Sequence, residues 1–289
     1  MFNLFKKILS RLLIEKIIKY RNVNRNNKNA FMYTWMHDIS GTEYLRNGSW
    51  EWNNIKNIKF LVDTQQVKNH LFIDVGANIG YFSCNLLNNF KNIFAFEPNP
   101  IAHYVLKANI LNNVKIQRTN ANIKTFEMGI GSKHEFLNIN SDVIHNAMGK
   151  ITKNESINSF PVEIKTLDSL FEEMDDFSHS QISLVKIDVE GFEIEVLQGM
   201  KNILKVSNPI IAIEMMNLKQ NNLITNFLEE NGYKFYYAYR RRFFHNLLGI
   251  PPIMKNIKKE LFDQKSLTIN LFFKISSHLE ITVLRNANF

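Results

Sequence analysis

The stretch Leu71–Ser83, LFIDVGANIGYFS, constrains this chain more than any other. Leu71, Phe72 and Ile73 read as a buried strand and Asp74 follows it. Gly76, Ala77, Asn78 and Gly80 then form a turn, and a helix begins near Tyr81. A strand that breaks into a glycine turn and a helix presents main-chain N–H groups at one point, and glycine omits the Cβ that would block a ligand. The stretch therefore predicts a small-molecule cradle. About 20 residues on, in the offset typical of doubly wound sheets, the apolar run Asn92–Phe96 (NIFAF) ends in Glu97, Pro98, Asn99 and Pro100. A carboxylate there can take both hydroxyls of a ribose.

The spacing narrows the choice of ribose-bearing cofactor. A pyrophosphate dinucleotide usually uses G-x-G-x-x-G, whereas the glycines here fall as G-x-x-x-G. Asp74 also stands where a pyrophosphate would lie, and like charges ~4 Å apart repel by several kcal/mol at an effective dielectric near 20. A cofactor with an ammonium and a sulfonium would instead be attracted by Asp74 and its neighbours. That description fits S-adenosyl-L-methionine. A second reading, in which Gly76 and Gly80 serve only tight strand-to-helix packing, explains neither Asp74 nor Glu97.

Basicity sits at the ends of the 289-residue chain, whose formal net charge is +8. Residues 1–21 hold Lys6, Lys7, Arg11, Lys16, Lys19 and Arg21 against Glu15, and residues 240–259 hold Arg240, Arg241, Arg242, Lys255, Lys258 and Lys259 with no acid. What remains is mildly acidic, unlike a nucleic-acid enzyme with a basic site. The single Cys84 excludes a disulfide framework and points to a reducing, cytoplasmic compartment, with the thiol packed in the core. The first 20 residues place Leu4, Phe5, Ile8, Leu9, Leu12, Leu13, Ile17 and Ile18 near helical spacing between basic residues. No uncharged run there is long enough to span a bilayer, and no small-residue cleavage site follows. Such a helix can lie on the inner face of an anionic membrane, or dock on the domain or a second subunit. We therefore divide the chain into residues 1–54, an N-terminal basic amphipathic helix, a polar linker (22–30) and an aromatic segment, and residues 55–289, the main domain. The aromatic segment holds Phe31, Tyr33, Trp35, Tyr44, Trp50 and Trp52; it could wall a pocket or pack the N-terminal part onto the core.

Within the main domain a helix is expected over 55–67, and another after Pro100 that ends at the Leu111-Asn112-Asn113 run. Residues 115–122 then read as irregular. Ile123–Met128 is a third strand closing in Gly129-Ile130-Gly131, a turn whose backbone could line an adenine or lead as a hairpin into Phe136–Ile139. Residues 141–160, with His145, Asn146, Met148 and Gly149, lack periodicity and suggest a mobile loop or lid. Pro161–Lys165 reads as an edge strand, with Thr166 capping the next helix.

The second informative stretch is Ser183–Met200, SLVKIDVEGFEIEVLQGM. Leu184, Val185 and Ile187 form a strand buried on both faces. Asp188 leaves it, Glu190 and Gly191 turn, and a helix carries Val196, Leu197 and Met200. A carboxylate at that strand end can orient or deprotonate a hydroxyl in line with an S–CH3 bond. Lys186, Asp188 and Glu190 can also be read as an ion network that shapes the turn. Pro209–Met215 brings Glu214 to the same crevice, a helix stops at Asn231-Gly232, and Tyr233–Tyr239 is a further strand. A basic insert at about 240–266 precedes strands at 267–275 and 280–284, the last expected to return antiparallel. Two carboxylates, Asp188 and Glu214, without a third obvious ligand lead us to expect metal independence.

FIDVGANIGYFS, FAFEPNP, KTLDSL and LVKIDVEGFEIEVLQGM, in this order, resemble the motifs of the FkbM family of S-adenosylmethionine-dependent methyltransferases, over about 60–239. The resemblance implies an α/β class I methyltransferase (Rossmann-like) fold: a mostly parallel sheet with helices on both faces and an antiparallel last strand. It implies O-methylation, often of sugars in surface polysaccharides, glycolipids or secondary metabolites. Asp74, Gly76, Ala77, Asn78 and Gly80 would hold the methionine part of the cofactor, Glu97 the ribose and Ile130 the adenine, while Asp188 and Glu190 would face the acceptor. The expected partner is a small-molecule or glycan acceptor such as a nucleotide sugar, with no nucleic acid. Two rival readings remain open. A nucleic-acid methyltransferase is suggested by the net charge, but an amino-methylating enzyme would carry Asn/Asp-Pro-Pro-aromatic where Asp188-Val189-Glu190-Gly191 stands. A non-catalytic cofactor-fold scaffold at a membrane is the other.

Overall fold

The computed structural model describes residues 30–34, 44, 48, 52–64, 70–140, 150–152, 159–174, 182–215, 218–233, 235–240, 255–256 and 269–274. Expectations for residues 1–29, Trp35, Trp50, residues 141–149, most of the 240–266 insert and the 280–284 strand lie outside the described residues.

The described strands in chain order are β1 (Leu71–Val75), β2 (Asn92–Phe96), β3 (Asn122–Phe126), β4 (Gly129–Ile130), β5 (Glu135–Asn140), β6 (Lys150–Thr152), β7 (Ser159–Lys165), β8 (Ile182–Ile187), β9 (Ile210–Met215), β10 (Phe235–Arg240), β11 (Lys255–Asn256) and β12 (Ile269–Lys274). The helices are α1 (Trp52–Thr64), α2 (Tyr81–Asn85), α3 (Pro100–Gln117), α4 (Leu167–Glu172), α5 (Glu193–Gln198), α6 (Lys201–Ser207) and α7 (Leu218–Glu230). Eight strands form the central sheet in the order β11-β10-β12-β9-β8-β1-β2-β3. β3, β2, β1, β8 and β9 are mutually parallel, and β12 runs antiparallel between β9 and β10. The antiparallel return is thus supplied by Ile269–Lys274. This is the mostly parallel, helix-covered sheet that the resemblance leads one to expect.

Strand alternation assigns each side chain to one of two cores. Leu71, Ile73 and Val75 of β1, Phe94 and Phe96 of β2, and Val185 and Ile187 of β8 pack with Leu167 and Phe171 of α4, Val196 of α5, Ile203 of α6 and Leu228 of α7. On the opposite face Phe72, Ile93, Ala95 and Leu184 pack with Ile58 of α1, Phe82 and Cys84 of α2, and Leu106 of α3. Asp74 and Lys186 share the parity of Phe72 and Leu184 and so lie on this second face. Cys84 is fully buried there, and burial pushes its thiol far up, as a core residue requires.

Several boundaries differ from the sequence reading. The helix α3 continues through Gln117 instead of becoming irregular at 115, because Gln117 Nε2 donates to the Cys84 carbonyl (2.9 Å) and Arg118 closes the end in the left-handed region (φ 51°). Part of the expected 141–160 loop is strand: β6 pairs with β5, and β7 begins at Ser159. Pro161 belongs to an interior strand, since β7 lies between β4 and β5 in a second sheet ordered β4-β7-β5-β6. Cross-strand pairing lengthens the strands expected at Phe136–Ile139 and Pro161–Lys165 and adds β6, whose residues have no strong pattern of their own. The helix expected after Gly191 is two helices, α5 and α6, parted at Gly199, where a Cβ would lie 1.9 Å from the Gly131 carbonyl oxygen.

The segment at 30–33 belongs to the core domain. Asn85, Asn109 and Asn113 grip its main chain: Asn85 Oδ1 accepts from Ala30 N (3.0 Å), Asn113 Oδ1 from Phe31 N (2.9 Å) and Asn109 Oδ1 from Tyr33 N (2.6 Å). Asn109 Nδ2 also donates to the Tyr33 and Ile79 carbonyls. Amides four residues apart on a helix thus act as the neighbouring strand that the extended segment lacks. Phe31 and Tyr33 meet edge to face on the exposed side, while among the described residues of the aromatic segment Tyr44 is buried in the core and Trp52 packs against it.

Candidate active site

The carboxyl ends of β1, β2, β8 and β9 meet where the chain, having stepped outward through β2 and β3, crosses back to β8. Ligands of open α/β sheets bind at such a switch point. Asp74, Glu97, Asp188 and Glu214 all stand there, as do Gly76, Ala77, Asn78 and Gly80.

Asp74 is fully buried, and its charge is already matched. Oδ2 accepts from Ser83 Oγ (2.6 Å) and Ser83 N (3.2 Å), and Oδ1 lies 3.4 Å from Lys186 Nζ. The turn after it is laced to the sheet: Gly76 N and Ala77 N both donate to the Phe96 carbonyl, and Lys186 Nζ donates to the Gly76 carbonyl (3.1 Å). The glycines serve close approach of chain to chain. A Cβ on Gly76 (φ 73°) would stand 1.9 Å from the Asp188 carbonyl oxygen, and one on Gly80 (φ 85°) 2.6 Å from Leu106 Cδ1. Their missing side chains make room for the main chain at Asp188 and for Leu106 of α3.

Glu97 is buried against the same turn. Its Oε2 accepts from Asn78 N (2.8 Å) and its Oε1 from Asn99 N (2.8 Å), while the left-handed Asn78 (φ 49°) aims its amide inward. Asn99 also caps α3 by accepting from Ile101 N and Ala102 N. Burial pushes the Glu97 carboxyl up to about 7, although both N–H groups favour the charged form. Each oxygen keeps acceptor capacity for one more donor.

The β8 end holds the densest charge. Asp188 N donates to the Val75 carbonyl, which locks β8 to β1 one step beyond the strand. Asp188 Oδ2 lies 3.2 Å from Lys186 Nζ, and 27% of the Asp188 side chain remains exposed. Lys186 Nζ also stands 4.7 Å from the Phe82 ring centre. Oxygens of Asp188, Glu190 and Glu214 lie within 4.8 Å of one another. Desolvation acts to raise the Asp188 carboxyl, but Lys186 and a hydrogen bond with the Glu214 carboxyl outweigh it and hold Asp188 below the usual aspartate range. Two carboxyls can share a hydrogen bond only if one is protonated, and Lys186 favours charge on Asp188. Glu190 adopts φ 54° and Gly191 φ 106°, a sharp exit stapled by Gly191 N donating to Glu193 Oε1 (2.9 Å). Burial raises the Glu193 carboxyl, the Gly191 amide opposes this, and the Asp188 charge adds to the rise.

Ile130 is placed differently from the other site candidates. Its side chain is 1% exposed within the core. The adjoining Gly131 is closed in as well, since a Cβ there would meet Ile164 and Phe192. Lys186 is the residue whose centrality the sequence understates. Matching the two Ile-Asp-Val runs (73–75 and 187–189) by eye sets Asp74 beside Asp188, but the register sets Ile73 opposite Val185 and Asp74 opposite Lys186. That two-residue offset turns a like-charge pair into an ion pair. Ser83, Glu193 and Asn99 hold the site as well, Ser83 on Asp74, Glu193 on the Gly191 amide and Asn99 on Glu97, and their residue types alone do not mark them.

Comparison with known proteins agrees with this architecture. A family model described as the methyltransferase FkbM domain matches residues 74–235. The hexuronic acid methyltransferase AglP of Haloferax volcanii is 32% identical over 140 residues, covering 48% of this chain and 53% of that protein. The methyltransferase sdnD of Sordaria araneosa is 29% identical over 160 residues, covering 45% and 60%. The chain therefore spans little more than half the length of these relatives. Among solved structures, the FkbM methyltransferase of Methylobacillus flagellatus superposes with a TM-score of 0.44 at 17% identity, over 70% of this chain and 42% of that one. With its family match running from the Asp74 carboxylate through the charged cluster of β8 to Phe235, the chain belongs to the FkbM methyltransferase family.

Proposed function

We propose that this chain is a methyltransferase that takes its methyl group from S-adenosyl-L-methionine and delivers it to a hydroxyl of a saccharide or related small molecule. The observation that supports this best is the presence, at the ends of the two strands that flank β1, of a buried acceptor carboxylate (Glu97, after β2) and an ammonium-backed carboxylate (Asp188, after β8). Glu97 suits a ribose diol, because its oxygens are held by main-chain N–H groups and each can accept once more. Gly76, Ala77, Asn78 and Gly80 form the wall for the methionine part, and Asp74 holds that wall through Ser83 and Lys186. Ile130 stiffens the adenine side from within the core. Bound there, the cofactor supplies a methyl group on a positively charged sulfur.

Asp188 accepts a hydrogen bond from the acceptor hydroxyl and aims its lone pair; Glu190 and Glu214 border the same space. The hydroxyl proton would pass to the Asp188 carboxylate and from there to water. A carboxylate held low is a weak base, so orientation supplies more of the effect than proton removal. A saccharide hydroxyl is favoured because AglP is named for a hexuronic acid. We place the reaction in the cytoplasm and without a metal. No helix among the described residues is long and apolar enough to cross a membrane.

The test is incubation with labelled methyl donor and a panel of uronic acids, nucleotide sugars and extracted surface glycans, with nucleic acids alongside. We expect label on a saccharide, unchanged by a chelator, and expect Asp188→Asn to keep donor binding while turnover falls ~10²-fold or more. Label on RNA or DNA would favour the nucleic-acid reading, and absence of donor binding the scaffold reading.

A further inference from the structure

Resting on that proposed reaction, we infer that Lys186 is a positioning residue for methyl transfer: one buried ammonium ties the Gly76 carbonyl of the cofactor turn to Asp188 Oδ2 at the acceptor side. The ammonium donates to Gly76 O at 3.1 Å and is paired by charge with Asp188 Oδ2 at 3.2 Å and Asp74 Oδ1 at 3.4 Å. The Phe82 ring lies beside it, so the charge is shielded from water on that side. The tie links two motifs 110 residues apart in sequence. It sets both the place and the charge of Asp188.

The charge follows from what surrounds that carboxylate among the described residues. Asp74 comes from β1, Glu190 from the turn, Glu193 from α5 and Glu214 from β9, and all are acids. Lys186 is the cation set among them. The ammonium favours the charged form of Asp188, which is left as acceptor for the substrate hydroxyl. Without it, Asp188 would bind a proton and turn a donor toward the substrate.

Carboxyl-carbon NMR of aspartate-labelled full chain tests this, with the Asp188 signal assigned by its loss in Asp188→Asn. In Lys186→Met we expect the Asp188 titration to move to higher pH by one unit or more, and the acid side of the turnover profile to move with it. Donor affinity should change less than fivefold, and Lys186→Arg should recover part of both shifts. A folded Lys186→Met whose Asp188 titration is unmoved overturns the inference. Should Lys186→Met not fold, Asp74→Asn decides. It preserves an acceptor for Ser83 but removes the rival for the ammonium, so the Asp188 titration should move to lower pH; an unmoved titration there overturns the inference too. Donor binding by calorimetry is read separately, so failure of the methyl-transfer reading leaves the carboxyl titration standing as its own result.

Discussion

At the scale of single residues, Glu97 carries the most exposed consequence. A carboxyl pushed up to about 7 by burial is half protonated near neutrality, and only its ionised form can accept from both ribose hydroxyls while holding both main-chain N–H groups. Donor binding should therefore release a proton, and affinity should fall as pH drops through 7. Calorimetry at pH 6 and pH 8 should differ by about tenfold, in the ratio of ionised fractions. Glu97→Ala should weaken binding by ~10-fold or more and flatten the dependence; a flat wild-type profile would refute the assignment. The same shift acts on folding with a definite sign. The folded state binds this proton more tightly than the unfolded chain, so the donor-free fold loses stability as pH rises from the ordinary 4.5 to about 7. That Glu97 sits at a ribose-binding offset was legible in the sequence. Its protonation was not, because that depends on burial and on main-chain amides, one of them from a turn 19 residues earlier.

At the scale of elements, the turn between β1 and α2 is decided by what packs behind it. Gly76 faces a main-chain oxygen, which cannot step aside, whereas Gly80 faces the end of a flexible leucine side chain. Both also have positive φ. Chemical denaturation should show Gly80→Ala costing ~1–3 kcal/mol, from backbone strain and a shifted Leu106, and Gly76→Ala costing more than that. An equal, mild cost at both would mean that β8 does not press on the turn as described. Helices and strands with strong patterns, such as Asn92–Phe96, agree with their sequence boundaries, and Thr166 caps α4 by accepting from Ser169 N as its residue type suggests. The elements that disagree depend on partners outside their own segment. β6 and β7 are made by β5, the last turn of α3 is held by the Cys84 carbonyl, and the break at Gly199 is forced by Gly131.

At the scale of the whole molecule, one sheet serves two cores, so neither can melt alone. Phe72 is fully buried on the α1–α3 face and Phe94 on the α4–α7 face. Phe72→Ala and Phe94→Ala should each cost ~3–5 kcal/mol, with near- and far-ultraviolet circular dichroism reporting one coincident transition for each. Two separate transitions would mean that the faces are independent. The order of apolar runs, glycine turns and acidic strand ends is local information, and by itself it determined an alternating α/β chain, the carboxylates at the crevice and the family. The register of β1 against β8 is not local. It reflects how two buried strands fit their side chains to both cores at once, and only the tertiary structure could decide that Asp74 meets Lys186, that the glycines make room for chain, and that one ammonium stands between the two halves of the site.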